Sequence, residues 1–214
     1  MKKTLVLALL AAFVVAGSVS ADSMGSAFGT LTTARALGAG RAAFGAGVGI
    51  ADATSFFGSF TYGLSNYTDG RIKVGLIDHD GADAELTIGA DFKWQFWSYG
   101  PNSKNPFDFA VGAFFEYADI ERFSVFQVGG QLIGSYPISL RTGGTLAPYG
   151  KFNARLESIS WDDHFPGRDD SESNLEVGLN GGLQWQMTSD IALYGEFQID
   201  GNDGVFFGID LAVI

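Results

Sequence analysis

The residues from Leu175 to Met187, LEVGLNGGLQWQM, carry the pattern that decides the fold of this chain. Every second residue is apolar or glycine: Leu175, Val177, Leu179, Gly181, Leu183, Trp185 and Met187. Successive side chains of a β-strand point to opposite faces, so this alternation predicts a strand with one apolar and one polar face. A soluble sandwich and a membrane barrel can both contain such a strand, and the rest of the chain must decide which face meets water.

The same two-residue period recurs from about residue 41 to the end of the chain. It divides the sequence into ten segments of roughly 10–14 residues, with residues 84–96 the clearest example and with eight strands as the alternative count. A tilted strand needs about 9–11 residues to cross a bilayer, whereas strands of globular proteins usually have about 5–6 residues. We therefore predict an all-β fold, a closed antiparallel transmembrane up-and-down β-barrel of about ten strands.

The charged residues of these segments all fall on the polar face, which we predict to line the lumen of the barrel. Six are basic and eight are acidic: Arg41, Arg71, Lys73, Glu85, Asp91, Lys93, Asp108, Glu116, Lys151, Arg155, Glu157, Glu176, Glu196 and Asp210. The apolar face would then meet lipid. Trp94, Tyr136 and Trp185 lie on this apolar face, next to turns on the same side of the predicted barrel, as expected for aromatic residues at a membrane interface.

The direction of the barrel follows from its connections. If the mature N-terminus is periplasmic, the acidic turns, including DHDGAD at 78–83 and the long hydrophilic loop Ser158–Ser173, all face the outside. An even number of strands returns the C-terminus to the periplasm. Closure is required because an open sheet edge would leave backbone groups unpaired in hydrocarbon.

The N-terminus is typical of an export signal. Lys2 and Lys3 precede the apolar stretch Leu5–Val15 and the small residues Val19–Ala21, so we expect residues 1–21 to be a signal peptide that is removed. Residues 22–39 then form a flexible periplasmic lead-in, and residues 40–214 form the barrel. Processing would change the formal net charge from −11 to −13, and this acidity argues against nucleic acid as a partner.

Few residues offer site chemistry. The chain has no cysteine, which excludes disulfides and cysteine ligands. Its two histidines, His79 and His164, lie beside aspartates in predicted external loops, where a His–Asp pair could act as a base, but solvated loop polarity is the favoured interpretation. The acidic stretch Asp162–Glu172 lacks the spacing of a calcium loop. We expect no enzymatic activity, no cofactor and no metal site.

The signal segment and residues 40–214 together resemble the small outer-membrane β-barrel proteins of Gram-negative bacteria, the broad group of the OmpA- and OmpX-type barrels. The chain end, with Gly208, Leu211 and Val213, partly looks like their assembly signal, although it closes on Ile214 where the group usually has Phe. The resemblance implies an outer-membrane location, with membrane lipid and the barrel assembly machinery as partners. We expect a monomer.

Three functions remain open from the sequence. The first is a structural or surface barrel whose lumen is filled by charged side chains, since a barrel of this size is barely wide enough for its own side chains; inward Phe57, Phe114 and Phe206 favour it. The second is a narrow porin-like channel for ions or small solutes, for which inward glycines leave room. The third, and least favoured, is a hydrolase at the rim of the barrel.

Overall fold

The structure is a computed structural model that describes residues 24–79, 84–100, 103–120, 123–141, 143–161 and 171–213. The predicted signal peptide, His164 and the middle of the acidic loop lie outside these residues. Within the described part of the chain, no helix has the length and apolar character needed to cross a membrane.

The regular secondary structure of the described chain consists of β-strands, ten long ones and one of two residues. Their bounds in chain order are β1 Ala42–Ala51, β2 Ala53–Gly63, β3 Thr68–His79, β4 Glu85–Trp97, β5 Asp108–Ile120, β6 Phe123–Ser135, β7 Ile138–Ser139, β8 Thr145–Trp161, β9 Ser171–Gln186, β10 Ile191–Ile199 and β11 Gly204–Ala212. The short β7 only extends the turn between β6 and β8.

The ten long strands close into a barrel. Each pairs antiparallel with its neighbours in sequence, and the ring is completed where β1 pairs with β11, from Ala43 opposite Ala212 to Ala51 opposite Gly204. This arrangement confirms the predicted closed antiparallel barrel of ten strands, and the eight-strand alternative is wrong. The first two segments remain separate because Asp52 alone connects β1 to β2.

The barrel has two ends, which we name by their connections. The terminal rim holds the start of β1 and the end of β11, together with the turns at 64–67, 98–107, 136–144 and 187–190. The distal rim holds Asp52, the turn at 200–203 and the strand ends at His79, Glu85, Ile120, Phe123, Trp161 and Ser171.

The long hydrophilic loop expected over Ser158–Ser173 needs correction at both ends. Ser158 pairs with Ser173 and Ser160 with Ser171, so β8 and β9 continue through both flanks of the predicted loop. The alternation of polar and apolar residues fades here because Ser158, Ser160, Ser171 and Ser173 occupy the outer face, which is apolar in the rest of the two strands. Only residues 162–170 lie between the two strands.

The outer surface is apolar and the inner one charged. Large apolar side chains are exposed all around the barrel, among them Phe56, Ile72, Leu86 and Phe207. Among the strand side chains that the structure describes, the only exposed charged ones are Asp78, Asp119 and Glu172, and each stands one residue from a strand end at the distal rim.

The stretch Leu175–Met187 follows the predicted alternation with one exception. Leu175 is 72% exposed, Leu183 and Trp185 are also exposed, and Glu176 and Asn180 are buried. Leu179, expected to face lipid, is only 9% exposed. Its cross-strand partners on the same face are Phe152 and Ile199, so neighbouring side chains flank it on both sides.

Candidate functional site: the occupied lumen

The lumen of the barrel is occupied by the chain's own N-terminal segment, residues 24–37, which we call the plug. Phe28 is 1% exposed and Ala34 is fully buried, and Ser26, Thr30 and Thr33 are buried as well. The free lead-in expected over residues 22–39 is therefore corrected for these residues. The physical reason is that the inward-facing charged residues need partners, and the backbone of the plug supplies them.

The plug threads the lumen from one end to the other. Near the distal rim, the N–H of Met24 donates to Glu157 at 2.9 Å, and Asn202 of the distal turn donates to the carbonyl of Ser26 at 3.0 Å. At the terminal rim, the N–H of Leu37 donates to Asp69 at 2.9 Å, and Gly40 bonds to Gly63 just before β1 begins. Met24, the first described residue, therefore lies near the distal rim, at the other end of the barrel from the start of β1.

Side chains of the barrel wall accept eight backbone N–H groups of the plug. Glu196 alone accepts those of Thr30 at 2.6 Å and Leu31 at 2.9 Å. The other donors and acceptors are Met24 to Glu157, Ser26 to Asp200, Ala27 to Glu116, Ala34 to Ser135, Ala36 to Gln95 and Leu37 to Asp69. Five of these acceptors are carboxylates, and a bond to an ionised acceptor is stronger than a neutral one.

The carbonyl groups of the plug accept hydrogen bonds from cationic and amide side chains of the wall. Arg71 donates to the carbonyls of Thr30 at 2.7 Å and Leu31 at 3.3 Å. Lys93 donates to those of Thr33 at 2.9 Å and Arg35 at 3.0 Å. Three amide side chains complete the set, with Gln127 bonded to Gly25 and with Gln198 and Asn202 bonded to Ser26.

Phe28 provides the main apolar contact of the plug. Its ring meets Phe57 edge to face, with centroids 5.1 Å apart and an interplanar angle of 82°, and Nζ of Lys73 lies 4.8 Å from its centroid. Edge-to-face pairs and cation–π contacts are each favourable by about 0.5–1.5 kcal/mol or more in a desolvated site. Together with Phe206 these rings fill the distal half of the lumen.

The plug has a backbone that only particular residues tolerate. Gly25 and Gly29 adopt φ of 62° and 61°, and Leu31 has a φ of 42°, the only positive value among the described non-glycine residues. A Cβ at Gly25 would overlap the backbone nitrogen of Asn202, and one at Gly29 would lie 2.9 Å from Cγ of Phe206. Left-handed backbone at Leu31 costs about 1–2 kcal/mol, which the two bonds to Glu196 offset.

Most of the fourteen charged residues predicted to line the lumen are buried inside it. Ten are buried: Arg71, Lys73, Lys93, Asp108, Glu116, Lys151, Arg155, Glu157, Glu176 and Glu196. Asp91 and Asp210 also point inwards, where they contact Arg71 and Tyr194. Glu85 is half-buried at the start of β4, and Arg41 is exposed at the terminal rim.

Ion pairs on the inner wall form two groups. Asp91 lies 2.8 Å from Arg71 and 3.4 Å from Lys73, and Lys73 lies 3.0 Å from Glu116. On the opposite side, Arg155 lies 3.5 Å from both Glu157 and Asp200. The plug touches both groups, because Glu116 and Asp200 accept the N–H groups of Ala27 and Ser26.

Several wall residues that hold the plug were not among the predicted ones: Asp69, Gln95, Gln127, Ser135, Gln198, Asp200 and Asn202. Four of them are uncharged inward residues of the strands, which a search for charge passes over. Asp69 lies at the start of β3, and Asp200 and Asn202 lie in the turn at 200–203, where polar residues are common in any protein. A signal exists for two of them, since Gln95 and Gln198 continue the inward period of Lys93 and Glu196.

The carboxyl of Asp200, in the turn at 200–203 of the distal rim, has a raised pKa. Burial raises the pKa of this carboxyl from its ordinary 3.8 to about 6, although Arg155, Lys151 and the N–H groups of Ser26 and Asn202 oppose the rise. Loss of hydration disfavours the charged form more than these neighbours favour it.

The outward aromatics predicted for the interface are all exposed near the terminal rim. Trp94, Tyr136 and Trp185 each keep more than two-fifths of their surface accessible. Tyr136 meets Tyr99 with ring centroids 5.1 Å apart, and Trp97 extends the group towards Phe107 and Phe109.

A cavity of about 320 Å³ remains beside the plug on the side of the terminal rim. The plug residues Thr32, Arg35 and Ala36 line it, and it reaches inwards as far as Arg71 and Tyr194. The distal half of the lumen, by contrast, holds the packed rings of Phe28, Phe57 and Phe206.

Other predicted chemistry is not placed by the structure. The side chain of His79 and the whole of His164 lie outside what the structure describes, so the rim hydrolase remains a sequence-based hypothesis. Among the described residues, no group of three or more His, Cys, Asp or Glu side chains could hold a metal ion.

Fold and site together define a closed ten-stranded β-barrel plugged by its own N-terminal segment. The structure is similar to the N-terminal β-barrel domain of Pseudomonas aeruginosa OprF, with a TM-score of 0.41 and 12% identity over 82% of this chain and 99% of that one. No family model matches the sequence. No curated protein matches it significantly.

Proposed function

We propose that this protein is an outer-membrane β-barrel of structural or surface role, without enzymatic activity, whose lumen is kept closed by residues 24–37. The observation that carries the proposal is the plug itself, whose eight N–H groups and six carbonyls are bonded to wall side chains. A loosely held segment would leave these buried wall groups unpaired, at about 1–3 kcal/mol each.

The membrane part of the proposal is supported by the outer surface. Soluble monomers rarely expose apolar patches larger than a few hundred Å², whereas here large apolar side chains are exposed on every long strand that surrounds the lumen. The long strands have 9–17 residues, which matches or exceeds the length needed to cross a bilayer. Outer-membrane lipid would then surround a monomeric barrel inserted by the assembly machinery.

The lipid contact can be tested by depth-dependent quenching of tryptophan fluorescence with brominated lipids. Of the four tryptophans, Trp94 and Trp185 are exposed on the outside, while Trp161 lies at the distal rim against Phe123. Single-tryptophan variants retaining Trp94 or Trp185 should be quenched strongly by lipids brominated near the headgroups. A barrel that stays folded in buffer without detergent and shows no quenching would contradict the proposal.

The closed lumen can be tested in planar bilayers. The intact protein should give no discrete channel events, because the plug fills the distal half of the lumen. Regular, stable openings of the intact protein would favour the alternative function, a narrow channel, which is supported only by the cavity of about 320 Å³ at the terminal rim.

A further inference from the structure

The wall binds the plug mainly through the backbone groups of the plug and much less through the side chains of the plug. Fourteen backbone N–H and carbonyl groups of residues 24–37 are bonded to the wall. Among the described residues, three plug side chains make polar contacts with the wall: Ser26 donates to Glu116, Thr32 accepts from Lys93, and Arg35 lies 3.7 Å from Asp108. Backbone groups are the same in every peptide, so this mode of binding carries little sequence information.

The space around the plug imposes a limit on side-chain size that differs along its length. Ala34 is fully buried against Ala110 and Ile133, and Ala27 lies in the core cluster of the distal half. Ala36, in contrast, lines the cavity of about 320 Å³. Small residues are therefore required at 27 and 34, one aromatic ring fits at 28, and larger residues fit at 36.

The charge of the lumen also suits a peptide backbone. Among the described side chains of the interior, eight nearly buried carboxylates face five cationic groups: Asp69, Asp91, Asp108, Glu116, Glu157, Glu176, Glu196 and Asp200 against Arg71, Lys73, Lys93, Lys151 and Arg155. The N–H donors of the plug satisfy five of those carboxylates without adding a charge. Glu176 faces Arg155 across the β8–β9 pair.

We propose that the lumen is a binding site for peptide segments that have small side chains and glycine at the two left-handed positions 25 and 29, and that residues 24–37 are its resident occupant. Another chain that presents such a segment, rich in Gly, Ala, Ser and Thr, would bind when the plug is displaced. This inference rests on the plugged lumen of the proposed function, but it does not require that the barrel conduct ions.

The experiment converts the plug into an exchangeable ligand within the full chain. A protease site is inserted between Ala39 and Gly40, which are exposed at the terminal rim ahead of β1, and the protein is cut after folding in detergent micelles. A fluorescent peptide of sequence Met24–Leu37, labelled at its C-terminal end, is then added, and its binding to the cut barrel is followed by anisotropy.

Three unlabelled competitors separate backbone from sequence recognition. The first keeps Gly25, Phe28, Gly29 and Leu31 but permutes the remaining residues, with only Ala or Ser at 27 and 34. The second carries N-methyl groups at Thr30 and Leu31, which removes both donors to Glu196. Its matched control is N-methylated at Arg35, whose side chain is largely exposed and whose N–H makes no wall bond among the described contacts.

The competitor peptides should differ in their affinity for the cut barrel. The permuted peptide should compete within about tenfold of the native one, while methylation at Thr30 and Leu31 should weaken competition at least about tenfold, since both bonds go to a charged acceptor. Methylation at Arg35 should have little effect. Competitors with Ala34→Leu and Ala36→Leu should differ, with only the former unable to bind.

Two outcomes would overturn the inference: competition by the native sequence alone, or no binding of any peptide to the cut barrel. Neither outcome bears on the proposed function, which is tested with the uncut protein in bilayers. Conversely, channel events from the uncut protein would overturn the closed lumen and leave the exchange result intact.

Discussion

The carboxylate of Glu196, on β10, accepts the backbone N–H of Thr30 at 2.6 Å. The same carboxylate accepts the N–H of Leu31, the hydroxyl of Tyr149 from β8 and the amide of Asn180 from β9. One buried acidic side chain therefore joins the plug to three neighbouring strands of the wall.

Replacement of Glu196 should loosen the plug and destabilise the barrel. Glu196→Ala leaves two plug N–H groups and two wall donors without their acceptor, so the free energy of unfolding should fall by about 3–5 kcal/mol. Glu196→Gln, which keeps one acceptor oxygen, should lose less. Urea unfolding in micelles, followed by tryptophan fluorescence, measures both. Glu172→Ala is the control, because Glu172 is exposed beyond the lumen, and an equal loss there would contradict this assignment.

Phe28 should contribute more to stability than a lipid-facing phenylalanine. Phe28→Ala removes a ring that is 1% exposed and packed on Phe57, with an expected loss of about 3–5 kcal/mol. Phe44→Ala deletes the same atoms from the outer face, where the ring is more than half exposed, and should cost clearly less. Thermal unfolding of the two variants in the same detergent makes the comparison, and similar losses would argue against a seated plug.

Dislodging the distal part of the plug should open a cation-selective pore. Gly25 and Gly40 both have positive φ, but only at Gly25 would a Cβ meet the backbone of Asn202. Gly25→Val should therefore produce channel events in planar bilayers, while Gly40→Val, which carries the backbone strain without the overlap, should stay silent.

The selectivity of that pore follows from the excess of interior carboxylates over cations. Under a potassium chloride gradient, the reversal potential of Gly25→Val should have the sign of potassium permeation. A pore that prefers chloride, or an equal current from both variants, would contradict the arrangement of the lumen.

The raised pKa of Asp200 predicts a pH dependence of stability. Between its ordinary 3.8 and about 6, the folded protein binds the proton and the unfolded chain does not. The stabilisation of the folded state by this proton uptake is therefore fully present below pH 3.8 and is lost as the pH rises through 6. A difference of about two pKa units corresponds to about 3 kcal/mol. From pH 7 to pH 4, the stability of the wild type should rise relative to Asp200→Asn by about that amount, and parallel curves would refute the assignment.

The sequence predicts the wall of this barrel well because membrane and lumen impose a period of two on every strand. Residues 84–96 alternate in the sequence and also in the structure, where Leu86 and Trp94 are exposed and Lys93 is buried. The start of the barrel, predicted at about residue 41, follows from the same pattern, and β1 begins at Ala42.

The plug could not be predicted from a two-residue period. Residues 24–37 contribute their backbone, which every sequence has, and their small side chains show no period. The available signal lay in the wall, where eight acidic residues were predicted to face six basic ones inside a narrow lumen. An excess of buried carboxylates requires donors from elsewhere, and the chain ahead of β1 is the nearest source.

The most direct test of the plugged lumen is a disulfide between the plug and the wall, in a chain that has no cysteine of its own. The N–H of Ala34 lies 3.1 Å from Oγ of Ser135, so Ala34→Cys combined with Ser135→Cys should cross-link quantitatively on oxidation of the protein in membranes. Ala34→Cys combined with Tyr136→Cys should not, because the side chain of Tyr136 is exposed on the outside. Cross-linking of the first pair alone is the predicted result; absence of a cross-link in the first pair, in a barrel that is otherwise folded, would contradict a lumen filled by residues 24–37.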